Sequence, residues 1–164
     1  NRYLNMFCLP LLMVDIEGVV VRKLNQNDDA RGWLCEIYRE DEDPIGPQMS
    51  YVSFTKFGIA RGPHEHRSQS DFFVLIGPGD FELFLWDNRV GSKTFGKNMK
   101  IVAGESNKCS ILVPPGVVHG YRSVSHPGSF SINLPDRLYA GRGKKERVDE
   151  IRHENEANSR FRIE

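Results

Sequence analysis

The sequence predicts an all-β fold, a sandwich or barrel of short strands. Three observations predict it. Short apolar, β-branched and aromatic runs recur along the chain. Gly/Pro turn signals separate them at intervals of roughly 8–15 residues. No window of helical length carries a convincing apolar period of about 3.6 residues. The charged stretch Lys144 to Glu156 comes nearest, but it is polar nearly all round, so it is expected to be at best a short surface helix in an irregular tail.

Each element can be justified in order. Asn1 to Val14 is apolar, but Pro10 and Asp15 interrupt it and no small-residue cleavage site follows, so it reads as an N-terminal strand or arm. Val19-Val20-Val21 follows Gly18 and is β-branched throughout. Trp33 to Tyr38 follows an Arg-Gly turn, and Met49 to Thr55 leads towards a histidine-rich segment. Phe72 to Ile76 is a continuous apolar run that ends at Gly77-Pro78-Gly79-Asp80. Phe81 to Trp86 partly alternates. Lys108 to Val113 stops at Pro114-Pro115, and the alternating Ser129 to Leu134 stops at Pro135.

The bulk numbers suit one domain spanning 1–164. The chain has 164 residues, 39% of them hydrophobic, which is enough for a sizeable core. Lys+Arg 22 balances Asp+Glu 22, so no basic stripe points to nucleic acid. No apolar run approaches the roughly 18 residues of a membrane span. Cys8, Cys35 and Cys109 form neither a Cys-x-x-Cys pair nor an even framework, which points to a reducing cytoplasm and to buried thiols at Cys35 and Cys109.

The chemistry-bearing segment is Gly58-Ile59-Ala60-Arg61-Gly62-Pro63-His64-Glu65-His66, followed by Asp71. On a strand, alternate residues point the same way, so His64 and His66 can share a face. Pro114-Pro115-Gly116-Val117-Val118-His119-Gly120-Tyr121 supplies a third imidazole after a turn signal. Such a set suits either a divalent transition metal held by His64, His66, Asp71 and His119, or acid/base chemistry.

The spacing resembles the two-motif pattern of the cupin superfamily, a jelly-roll fold. Gly58, His64, His66, Asp71 in the usual Glu position, and Gly77 or Gly79 match the first motif; Pro114, Gly116 and His119 match the second. A longer set resembles one branch, the dTDP-4-dehydrorhamnose 3,5-epimerase family. Arg31-Gly32-Trp33-Leu34-Cys35-Glu36, Arg61-Gly62-Pro63-His64, Trp86 to Gly96 (WDNRVGSKTFG) and Val113 to Tyr121 (VPPGVVHGY) fall in that family's order.

The resemblance implies an isomerase that inverts carbons beside the ketone of a nucleotide-linked 4-keto-6-deoxyhexose, in deoxysugar or polysaccharide biosynthesis. It implies His64 as the base, with Arg61 to stabilise developing negative charge. Arg31, Glu36, His119, Tyr121, Asn133 and Tyr139 would bind substrate. Arg31, Leu34 and Glu36 would reach the cavity of a second subunit, implying a homodimer, and no cofactor is implied.

Several family positions differ here. The family's catalytic tyrosine falls on Ile132 or Asn133, its pocket lysine on Asp71 or Phe72, and a glutamine on His66. The aspartate that partners the base would lie beyond this sequence. That leaves the acid open among Tyr121, Tyr139 and His119. A metal-dependent cupin enzyme and a non-catalytic nucleotide-sugar-binding cupin stand as alternatives. Plainer structural roles are expected for Asp87 and Arg89 as an ion pair, for Asp136 to Tyr139 as a polar loop, and for Arg142 to Arg147 as a solvated face.

Overall fold

The structure, a computed structural model, describes residues 15–164, so the N-terminal strand or arm and Cys8 lie outside the described residues. Two five-stranded sheets make an all-β jelly roll. The first runs β1 (Val20–Lys23), β9 (Cys109–Val113), β6 (Asp71–Leu75), β11 (Gly128–Asn133) and β4 (Tyr51–Lys56) from edge to edge. The second runs β12 (Ile151–Arg152), β5 (Ala60–Glu65), β10 (Val117–Ser123), β7 (Asp80–Asp87) and β8 (Asn98–Gly104). A separate hairpin joins the polar β2 (Gln26–Asp29) to the apolar β3 (Gly32–Cys35). Among the described residues no helix is long and apolar enough to cross a membrane.

The core lies between the sheets. Phe73, Leu75 and Ile111 of the first sheet meet Phe81, Leu83 and Leu85 of the second. In β7, burial alternates strictly along DFELFLWD. Its inward residues are Phe81, Leu83 and Leu85, with Asp87 buried at the strand's end, while Phe84 and Trp86 point to the other face. There the C-terminal segment covers Trp86 with Phe161, at 5.8 Å between centroids. The continuous apolar run of β6 is buried on both faces. Phe72 and Val74 pack against a second cluster that includes Ile37, Tyr38, Ile45 and Leu134.

Two expectations change in detail. The run Trp33 to Tyr38 is a strand only to Cys35; beyond it, Ile37 and Tyr38 leave the hairpin and cap β6 instead. The segment 144–156 is not a helix. It holds the end of one 3-10 turn, the short strand β12 and a second 3-10 turn, because its backbone pairs with the edge of β5. Asp87 and Arg89 do form a structural pair: the buried carboxylate takes Arg89 Nε at 2.8 Å and the hydroxyls of Ser92 and Thr94 at 2.6 Å, closing the turn after β7. Cys109 is buried and Cys35 half-buried, both as free thiols.

Leu83 is fully buried between the sheets, whereas Val90 is 85% exposed on a turn. Leu83→Ala is therefore expected to lower the unfolding free energy by about 2–5 kcal/mol in urea titration, and Val90→Ala by less than about 0.5 kcal/mol.

Candidate active site

The site is built on the pairing of β5 with β10. His119 lies opposite His64, and Tyr121 lies opposite Arg61, so one extra residue is accommodated in β5 between them. This bulge reverses the strict alternation and brings both Arg61 and His64 to the cavity side. Gly62 makes the bulge feasible. Its φ is +81°, and a Cβ there would sit 2.8 Å from the His119 carbonyl oxygen and 3.1 Å from His64 Nδ1. The rings of His64 and His119 pack edge to face at 4.5 Å. Arg61 is aimed by Thr55 Oγ1, which accepts from its Nε at 2.9 Å, and by the Phe54 carbonyl at 3.0 Å.

Asp71, 2% exposed at the head of β6, ties this end of the molecule together. Its Oδ2 accepts from His66 Nε2 at 3.1 Å and from His119 Nε2 at 3.0 Å. Its Oδ1 accepts from Gln69 Nε2 at 2.8 Å and from Asn133 Nδ2 at 3.0 Å. The second ring nitrogen of His66 meets the Asp149 carbonyl, and that of His119 meets the Val117 carbonyl at 3.0 Å.

The charge pattern follows from these contacts. Burial acts to lower the His66 pKa, but the Asp71 hydrogen bond and charge, with the Asp149 carbonyl, outweigh it and raise the pKa to about 9. Burial likewise acts to raise Asp71, and the bonds from His119 and His66 hold it well below the usual carboxylate range. His64 has no such partner close enough to compensate. Burial, with the neighbouring imidazoles of His119 and His66, lowers its pKa to about 2. His64 is thus a neutral imidazole beside a cationic one, an arrangement in which one ring can take a proton while the other stabilises nearby negative charge.

The C-terminal segment completes the wall. β12 pairs with β5, setting Ile151 opposite Glu65 and Arg152 opposite His64. That register delivers the two preceding carboxylates to the cavity. Asp149 accepts from the backbone amides of Arg67, Ser68 and Gln69 at 2.8–3.0 Å and so fixes the turn that carries His66. Glu150 Oε1 lies 3.8 Å from His64 Nδ1, with its other oxygen held by Arg152 at 2.7 Å. On the far face of β5, Glu65 accepts from His153 Nε2 at 2.9 Å and from Asn88 Nδ2 at 2.9 Å, clasping the tail in place. The cavity has a volume of about 990 Å³, and Arg137, Arg142, Lys144 and Arg147 stand around it. Every residue of the run Arg142 to Arg147 is exposed, as expected of a solvated face, and Arg142, Lys144 and Arg147 stand at the cavity rim.

The structure brings together some of the residues singled out from sequence and leaves others apart. His64, Arg61, Tyr121 and Tyr139 line the cavity. His119 and Asn133 are buried behind its wall as supports of Asp71. Arg31 is 90% exposed in its side chain and paired with Asp29 on the β2–β3 hairpin, and Glu36 is also exposed. Sequence reasoning missed Tyr51, Asp149 and Glu150. The two carboxylates sit in a charged run with no local signal of burial, and Tyr51 reads as an ordinary strand aromatic.

The ligand atoms of His64, His66, Asp71 and His119 lie within 4.8 Å of one another. A metal would have to replace existing bonds, since Asp71 already takes four protein donors and both its imidazole partners use their Nε2 on it. As arranged, the cluster closes on itself as a hydrogen-bond network.

The family model described as dTDP-4-dehydrorhamnose 3,5-epimerase matches residues 13–149. The chain is 38% identical over 130 residues to the probable low-salt glycan biosynthesis epimerase Agl13 of Haloferax volcanii, covering 77% of this chain and 83% of that protein. It is 28% identical over 123 residues to the dTDP-4-dehydrorhamnose 3,5-epimerase of Salmonella typhimurium, covering 70% and 67%. In fold it is similar to a dTDP sugar isomerase from Desulfovibrio desulfuricans, with a TM-score of 0.79 at 19% identity over 92% of this chain and 94% of that one.

The His66–Asp71 pair carries a pH signature. The folded pKa of His66 lies above its ordinary value of 6.5, so its stabilisation is fully present below pH 6.5 and is lost as pH rises through about 9. Across that window unfolding free energy is expected to fall by on the order of 2–3 kcal/mol in urea titrations, and His66→Gln is expected to flatten the fall.

Proposed function

The chain belongs to the dTDP-4-dehydrorhamnose 3,5-epimerase family, a family of isomerases, and on that premise we propose that it inverts a carbon beside the ketone of a dTDP-4-keto-6-deoxyhexose. The product would enter deoxysugar or polysaccharide synthesis. The observation that carries this reading is the neutral His64 imidazole on the cavity wall, with Glu150 at 3.8 Å and Arg61 beside it.

A hydrogen alpha to a ketone is acidic only if the enolate oxygen is stabilised as the proton leaves. His64 accepts that proton. Glu150 then faces the imidazolium that forms and serves as its partner carboxylate. Arg61 and the His66 imidazolium supply positive charge for the oxyanion. Arg137, Arg142, Lys144 and Arg147 around the cavity suit a diphosphate. Tyr139 offers its ring face and hydroxyl to the sugar or the nucleobase, and the buried Tyr121 closes the cavity wall behind them. These are proton transfers throughout, and the chemistry calls for no cofactor.

We further propose a homodimer. Arg31 and Glu36 do not reach their own cavity, and the hairpin that carries Arg31 also exposes Trp33 (53%) and Leu34 (61%). Together they suit a cavity on a second copy, where Arg31 would meet the diphosphate.

Incubation of dTDP-4-keto-6-deoxyglucose with the protein in deuterium oxide tests the reaction. Deuterium is expected at a carbon alpha to the ketone, in the presence of a chelator, and the rate is expected to fall by about 10²–10⁴-fold in His64→Ala. No exchange by the wild type, or an unchanged rate in His64→Ala, would overturn the reading. Sedimentation equilibrium is expected to give twice the 18.7 kDa chain mass; a monomer would remove the role given to Arg31.

A further inference from the structure

We infer that Tyr51 is the acid that returns a proton to the substrate, from the cavity wall opposite His64; this rests on the epimerase reading above. Inversion needs two groups on opposite faces of one carbon. The C–H bond breaks towards His64 and its electron pair passes into the enolate. The pair then takes a proton from the second group on the other face, and the carbonyl re-forms. The acid must therefore come from a different wall than the base.

The two sheets supply those walls. His64 and Arg61 stand on β5 of one sheet, and Tyr51 opens β4 at the edge of the other; all three line the same cavity. Tyr51 is directly opposite Asn133 of β11 in the strand register. The Asn133 amide donates to Tyr51 Oη at 3.0 Å and to Asp71 Oδ1 at 3.0 Å, while its own oxygen accepts from the Phe72 amide at 3.0 Å. The Asn133 side chain is thus fully committed and rigid, and the Tyr51 hydroxyl is fixed as an acceptor.

That leaves the phenolic hydrogen free. Among the described residues no acceptor takes it, so it can point to a ligand in the cavity. The bond from Asn133 also stabilises the phenolate that proton donation would leave. Tyr51 is 46% exposed, and the partial burial that remains, opposed by that bond, still holds its pKa above the ordinary tyrosine value, so the group is protonated at neutral pH, as an acid must be. The cycle balances when His64 releases its proton and the phenolate regains one, both through solvent.

The other two cavity tyrosines are placed differently. Tyr121 is deeply buried, and its hydroxyl is shared with Ser53 at 3.4 Å and Ser131 at 3.3 Å. It also stands on β10, in the same sheet as His64. Tyr139 is 53% exposed in the loop beyond β11, with no hydrogen bond to its hydroxyl among the described residues.

Tyr51→Phe separates the two half-reactions. Removing the phenol oxygen is expected to lower net inversion of the 4-keto sugar by at least about 100-fold. Deuterium exchange at the alpha carbon, read on unreacted substrate by mass spectrometry, is expected to stay within about fivefold of wild type, because His64 still removes and returns the proton on its own face. Inversion by Tyr51→Phe within threefold of wild type would overturn the inference and leave the epimerase reading standing. Loss of exchange together with inversion, in a variant that keeps the wild-type urea midpoint, would equally overturn it, since Tyr51 would then serve binding or the first step. A wild-type protein that neither exchanges nor inverts removes the epimerase reading, and this inference falls with it.

Discussion

The carboxylate of Asp71 accepts four hydrogen bonds from both sheets, and the geometry of the site follows from satisfying it. It heads β6 in one sheet and is gripped by His119 of β10 in the other, by His66 and Gln69 in the turn between β5 and β6, and by Asn133 of the neighbouring β11. An ionised carboxylate out of water costs several kcal/mol unless donors replace its hydration. Here the donors come from β10, β11 and the turn between β5 and β6. Their positions are set by one shared need, and the cavity wall is correspondingly rigid.

That arrangement divides the histidines. His66 and His119 are spent on Asp71, with their remaining ring nitrogens on backbone carbonyls. His64 makes no hydrogen bond among the described residues; its ring packs on His119 at 4.5 Å, and its nearest carboxylate is Glu150, at 3.8 Å. Three imidazoles that look alike in sequence therefore do different things. One holds a positive charge, one buttresses the sheet contact, and one stays neutral on the cavity wall. On the opposite wall Asn133 repeats the logic, with one amide hydrogen on Asp71 and the other on the hydroxyl of Tyr51.

The C-terminal segment belongs to the site as fully as the barrel does. β5 presents His64 to the cavity and Glu65 to the far side, where His153 and Asn88 hold it. Because β12 runs along the same strand edge, the clasp outside fixes Asp149 and Glu150 inside. Phe161 on Trp86, and Arg160 4.8 Å over the Phe161 ring, extend the contact across the back of the sheet. The basic residues that precede β12 are thereby swept around the cavity.

How much of this could be read in advance depended on the range of each interaction. Strands β1, β6, β7, β9 and β11 were legible because inward and outward residues alternate, or run continuously apolar, within a few positions. The Arg61-Gly62-Pro63-His64 segment singled out His64 through its resemblance to the family's motif. The polar hairpin strand β2 and the two-residue β12 were not legible, since neither buries an apolar stripe of its own. The sequence by itself therefore determined the all-β class, the strand faces and the privileged position of His64. Only the tertiary structure decided which carboxylate meets which imidazole. The pairs His64–Glu150 and Asp71–His119 are set by strand register between distant segments, and no local periodicity encodes register.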